Sequence, residues 1–99
     1  MDIVQATYAA VKQAIGLAEQ RLSDGSNDIK LSIKPYVDRK EGEVGYSYTL
    51  EVRSMYTGVM YAVASNARRN VIGLDVNTIL GCIESDVRAG YNYGRSLVA

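Results

Sequence analysis

Tyr46-Ser47-Tyr48-Thr49-Leu50-Glu51-Val52-Arg53 alternates apolar and polar side chains without a break. Successive side chains of an extended chain point to opposite faces, so Tyr46, Tyr48, Leu50 and Val52 share one side. Ser47, Thr49, Glu51 and Arg53 share the other. The stretch reads as a strand with one dry and one wet face. Upstream, Ile29, Leu31 and Ile33 alternate with Lys30, Ser32 and Lys34, a second strand of the same kind. Pro35 cannot donate to a ladder and marks a strand end or an edge. Asp38-Arg39-Lys40-Glu41-Gly42-Glu43, charged and holding a glycine, is the expected hairpin connection between the two.

Downstream, Thr57-Gly58 offers a further turn, and residues 59–64 read as a third strand. Here the pattern changes. Val59, Tyr61 and Val63 are apolar, but so are Met60, Ala62 and Ala64, and a strand apolar on both faces expects cover on both. Residues 65–70 read as a polar connection in which Ser65 could cap a helical turn; the sequence leaves open whether residues 65–72 are strand, loop or a third helix.

Two helices flank the strands. Over residues 2–22, Val4, Tyr8, Val11, Ile15, Ala18 and Leu22 recur at spacings of three and four and form one stripe. Ser23-Asp24-Gly25-Ser26-Asn27 stops this helix, with Gly25 available for a left-handed cap. Asp75 or Asn77 caps the second helix, whose stripe is Val76, Ile79, Leu80, Ile83 and Val87, and Gly90 and Gly94 are expected to end it. Gly16 and Gly81 fall mid-helix, where glycine costs about 1 kcal/mol relative to alanine. They mark either a close helix crossing or no role. The expected fold is α+β, ordered α-β-β-β-α: a three-stranded antiparallel meander with both helices packed on one face, in a single domain spanning residues 1–99.

At 99 residues such a domain buries only roughly 60–70% of its unfolded surface, and self-association widens a thin stability margin. Eleven basic and eleven acidic residues cancel, so the charge balance does not favour nucleic acid. Histidine is absent, which removes the commonest general base and metal ligand. A lone cysteine, Cys82, excludes an intrachain disulfide, and its place beside Ile79 and Ile83 suits a small hydrophobe. Glu41 with Glu43 sits in a charged loop, and Glu84 with Asp86 diverges on a helix, so neither is a positioned acid–base pair. Gly73-Leu74-Asp75 has one glycine and an acid, a poor phosphate cradle. No enzyme, cofactor or metal is expected. No secretory signal is expected from the opening residues and no apolar run approaches about 18 residues, so the expected location is cytoplasmic, without membrane contact.

Eight tyrosines stand with no phenylalanine or tryptophan, a composition suited to half-buried and interfacial positions. The outward residues of the third strand, Met60, Ala62 and Ala64, and the rings of Tyr91 and Tyr93 are the candidate interface. Arg68 and Arg69, with Lys30 and Lys34 on the wet face of the first strand, are the candidate anion or nucleic-acid contact.

The element order resembles that of the double-stranded-RNA-binding domain, with residues 46–80 in the corresponding places. That family opens its last helix with Lys-Lys-x-Ala-Lys, whereas Ser65-Asn66-Ala67-Arg68-Arg69-Asn70 here carries two positives, and its histidine-bearing loop has no counterpart. The order is also similar to small phage tail-completion proteins that assemble into rings. The expected function is a non-enzymatic, protein-binding and self-assembling domain whose partner is itself, as a dimer or higher, or one other protein. Its expected setting is a phage or viral accessory role, as a virion part or an inhibitor of host defence. Nucleic-acid binding and a histidine-free enzyme are the alternatives.

Overall fold

The computed structural model describes residues 2–22 and 28–97. Among them, α1 (Ile3–Leu22) precedes three strands, β1 (Ile29–Asp38), β2 (Glu43–Arg53) and β3 (Met60–Asn70), and α2 (Val76–Leu97) closes the chain. The strands form one antiparallel sheet in the order β1-β2-β3. Register places Ile29, Leu31 and Ile33 opposite Val52, Leu50 and Tyr48, so the apolar sets of both strands share a face. Both helices lie on that face. Val11, Ala14, Ile15 and Ala18 of α1, Val44, Tyr46, Leu50 and Val52 of β2, and Ile79, Leu80, Ile83 and Val87 of α2 make the core. The expected α+β meander is therefore the observed fold.

Each helix starts on an aspartate. Asp2 Oδ1 accepts from Gln5 N at 2.8 Å, and Asp75 Oδ1 accepts from Thr78 N at 2.8 Å, each satisfying an amide the helix leaves unpaired. The Thr78 backbone N–H and hydroxyl hold the Asp75 carboxyl below the usual carboxylate range. The β1–β2 turn has Gly42 at φ 68° and the β2–β3 turn Gly58 at φ 73°, left-handed positions that favour glycine.

Four local readings are decided or corrected by the fold. Residues 65–70 are neither a connection nor a helix: they continue β3, and the strand starts at Met60, not Val59. From the pair Tyr48↔Ala67 to the pair Glu51↔Ala62, β2 advances three residues while β3 advances five, so β3 accommodates two extra residues there. Asn66, at φ 50°, sits within this irregularity and gives its N–H to Thr49 Oγ1 at 3.1 Å. The bulge lets polar residues join a strand whose simple alternation they would break.

Second, α2 does not end at Gly90 or Gly94 but runs through both to Leu97. A Cβ on Gly90 would lie 2.5 Å from Leu50 Cδ2, and one on Gly94 2.8 Å from Val63 Cγ1. These glycines let the helix lie close against β2 and β3. Third, of the two readings of Gly16 and Gly81, a close helix crossing or no role, the crossing fails, since a Cβ on either would have nothing within 4 Å. Fourth, Tyr8 lies off the buried stripe of α1, and Thr7 takes the inward place, its Oγ1 accepting from Gly73 N at 3.0 Å across the helix–helix junction. The stop expected at residues 23–27 and the side chain of Leu22 lie outside the described residues.

Candidate functional site

Two helices cover one face of the sheet and leave the other open. The open face carries Lys30, Ser32, Lys34 and Tyr36 from β1, Ser47, Thr49 and Glu51 from β2, and Ala62 and Arg68 from β3, by the register of the ladders. It is a polar surface, as the alternation of β1 and β2 requires. The doubly apolar character of β3 is smaller than the sequence suggests. Ala64 pairs with Leu50, packs against the core and leaves the proposed outward set. The bulge causes this, because each extra residue flips the side chains beyond it to the other face. Met60 and Ala62 remain outward, Met60 half-buried and Ala62 exposed.

The two edges of the sheet differ chemically. The β1 edge carries Lys30, Lys34 and Pro35, residue types that discourage pairing with another strand. The β3 edge over residues 60–64 carries neither charge nor proline. Ser54 N donates to Val59 O at 2.9 Å, which sets the alternation of the ladder. By that alternation Met60 and Ala62 turn their N–H and C=O groups away from β2, toward the open edge.

The turn leading into this edge is apolar and firmly built. Met55, Tyr56 and Val59 are 69%, 74% and 63% exposed. Ser54 Oγ accepts from both Tyr56 N and Thr57 N at 3.2 Å, Gly58 N donates to Ser54 O at 3.1 Å, and an Arg53 guanidinium N–H donates to Gly58 O at 2.6 Å. Sequence reading missed Met55 and Tyr56. The signal that could have found them is a two-residue apolar run in a turn, where polar residues are the rule.

The other candidates separate. Tyr91 lies in α2 and packs partly buried against the core, while Tyr93, two residues on, is 57% exposed. A helix turns consecutive odd positions apart, so the two rings do not form one stacking platform. Arg68 and Arg69 are adjacent in a strand and therefore face opposite sides of the sheet. Arg68 joins Lys30 and Lys34 on the open face; Arg69, opposite Tyr46, lies on the helix side. The expected four-residue basic patch is thus three cations on one face.

Arg69 belongs instead to a partly buried polar network. Its Nε donates to Asp86 Oδ2 at 2.8 Å and its Nη2 to Asp86 Oδ1 at 2.5 Å, a two-pronged grip. The hydroxyl of fully buried Tyr46 donates to the same Asp86 Oδ2 at 2.5 Å. Burial pushes the Tyr46 hydroxyl pKa far up, and its bond to Asp86 adds to the shift. Burial also acts to raise Asp86, but the Arg69 and Tyr46 hydrogen bonds outweigh it and leave the carboxyl below its ordinary value.

These shifts have opposite signs in stability. Asp86, depressed in the folded state, contributes stability above the unfolded carboxylate value near 4, lost as pH falls below it. Tyr46, raised in the folded state, contributes stability below the unfolded value near 10, lost as pH rises beyond it. Tyr36 and Tyr48 are raised as well, by burial first, so we expect Tyr46→Phe to remove the largest single share of the alkaline loss between about pH 10 and 11.5, read by urea midpoints across pH. An unchanged alkaline slope would contradict the assignment.

Among the described residues no group of three His, Cys, Asp or Glu side chains could hold a metal ion. An apolar groove of about 350 Å3 lies between the starts of the helices, lined by Ile3, Thr7, Ala10, Gly73, Leu74 and Val76 among others. Its polar groups, Thr7 and Asp75, are occupied by Gly73 N and Thr78 N. No described helix is long and apolar enough to cross a membrane. Comparison with protein-family models, with curated proteins and with solved structures gives no match for this chain.

Proposed function

We propose that this protein works by association, not catalysis, and that its first partner is a second copy of itself joined through the β3 edge. The observation that carries this reading is the asymmetry of the sheet. One edge is protected by two lysines and a proline, whereas residues 60–64 of the other offer outward backbone groups with no charge beside them. Two such edges pair antiparallel about a twofold axis, so the same patch serves both copies and the sheet becomes six-stranded. The formal net charge of zero places no overall like-charge repulsion between copies. The apolar turn of Met55, Tyr56 and Val59 flanks the junction and supplies side-chain burial beside the main-chain bonds.

Ala62→Pro tests the edge. Proline removes the outward N–H and obstructs an incoming strand, but takes no bond from the β2–β3 ladder. In sedimentation equilibrium at micromolar concentration the parent chain is expected at about twice 10.8 kDa, and the variant at 10.8 kDa with its circular dichroism retained. Val59→Lys, which leaves the strand itself untouched, should weaken the dimer at least tenfold, and Lys30→Ala on the protected edge should not. A parent chain that sediments at 10.8 kDa throughout, or an Ala62→Pro chain that still dimerises, refutes the proposal.

A further inference from the structure

The open face holds a site that self-association does not use. Lys34, Ser47 and Arg68 form one cross-strand row through β1, β2 and β3. The next row is Ser32 and Thr49, and Asn66 of the bulge is tied to Thr49 Oγ1 by its backbone N–H. Between these rows lies a concavity of about 80 Å3 lined by Ser32, Lys34, Ser47, Tyr48, Thr49 and Asn66. Its side-chain chemistry is hydroxyls, one amide and one ammonium, and no carboxylate lines it.

Arg68 does not line this concavity but stands beside it, its side chain lying over Tyr36 one row further along the sheet. Its Cζ lies 4.2 Å from the centre of the Tyr36 ring, so the guanidinium is stacked and its edge donors stay available. Tyr36 is itself placed by two contacts. Its hydroxyl donates to Glu43 Oε1 at 3.0 Å, and its Cε1 would lie 3.1 Å from a Cβ on Gly45, the residue opposite it. Gly45 thus gives the ring room across β2, toward the strand that bears Arg68. The bond from Tyr36 also engages Glu43, one of two acids of β2 that lie four residues from Ser47; the other, Glu51, stands opposite Lys30. Neither Lys34 nor Arg68 is paired with a carboxylate among the described residues. Asn66 is the one described non-glycine residue at positive φ, and such outliers gather at functional sites.

Two cations on either side of a serine, above a pocket of donors, suit a compact anion with several acceptor oxygens. We infer that the open face binds a single phosphoryl group, as inorganic phosphate or the end of a small phosphate monoester. The ammonium of Lys34 and the guanidinium of Arg68 supply charge, and the hydroxyls of Ser32 and Ser47 with the Asn66 amide supply the remaining donors. The inference stands independently of the dimer, because the β3 edge over residues 60–64 lies beyond the bulge from this row.

The test is titration of inorganic phosphate into the 15N-labelled protein at low salt, with sodium chloride at matched ionic strength as reference. Saturable shifts confined to the amides of residues 32–34, 47–49 and 66–68 are expected, with millimolar affinity. Arg68→Ala and Lys34→Ala should each weaken binding at least fivefold, and Lys30→Ala, opposite Glu51 and one row beyond Ser32, should leave it within twofold. Shifts that are absent, spread over the surface, or equal in the Arg68→Ala protein overturn the site. A parallel arm uses a 12-nucleotide single strand of DNA and a 16-base-pair RNA duplex. Binding of either more than tenfold tighter than phosphate would overturn the single-phosphoryl assignment in favour of a nucleic-acid surface; any weaker binding than that supports it.

Discussion

Replacing Asp86 with alanine is expected to lower stability by about 2–3 kcal/mol, and adding Tyr46→Phe to that variant should recover part of the loss. The two changes together should be less harmful than the first alone. The reason is the position of the Tyr46 hydroxyl, which is fully buried and has Asp86 Oδ2 as its partner at 2.5 Å. Without the carboxylate the hydroxyl is left dry and unbonded, a penalty of about 1–3 kcal/mol that phenylalanine does not suffer. Arg69 behaves differently, since its side chain is 45% exposed and regains water when released. The loss therefore falls mainly on the tyrosine. Urea unfolding of the four proteins of the cycle decides it. A double variant less stable than Asp86→Ala alone would contradict this description of the network.

The second large effect separates four helical glycines into two pairs. Gly16→Ala and Gly81→Ala should each stabilise by up to about 1 kcal/mol, because alanine is the better helix former and a Cβ meets nothing within 4 Å. Gly94→Ala should destabilise by about 1–3 kcal/mol in spite of that preference. Its Cβ would lie 2.8 Å from Val63 Cγ1 and 3.3 Å from both Val52 Cγ2 and the Tyr61 hydroxyl, and a β-branched neighbour has no rotamer by which to yield. The same hydroxyl donates to Gly94 O at 2.5 Å, so a helix pushed outward also loses that bond. Gly90→Ala should fall between, because the group it meets first is the end of Leu50, which is flexible but confined in the core. Thermal unfolding of the four variants orders them. Equal effects at Gly16 and Gly94 would contradict the close packing of α2 on the sheet.

These glycines also show where the sequence is readable and where it is not. The alternation over residues 46–53 and 29–34, and the stripes of both helices, express which face is dry, and the sheet and its two covering helices follow from them. A glycine carries no such mark. Gly81 and Gly90 look alike in sequence, and only the distance to β2 separates an idle position from a necessary one. The bulge is similarly hidden, because its two extra residues matter through the register of a neighbouring strand. Its consequences reach the candidate site. It turns Ala64 inward and carries β3 on through Arg68 and Arg69, whose opposite faces follow from their being neighbours in a strand. Lys30 and Lys34 were legible as a pair from period two alone, whereas the row Lys34–Ser47–Arg68 needs the pairing of all three strands. The apolar turn was overlooked for a different reason: Met55 and Tyr56 break no periodicity, since a turn has none.

Hydrogen exchange at the amides of Met60 and Ala62 tests the central claim most directly. Their N–H groups point away from β2, so in an isolated subunit they should exchange almost as fast as an open chain. In the paired form they are bonded to the other copy. Slow exchange at both amides in concentrated samples, lost on dilution below the dissociation constant, is the predicted result. Fast exchange at both, in a sample whose mass is nevertheless twice 10.8 kDa, would place the contact elsewhere and contradict the edge pairing.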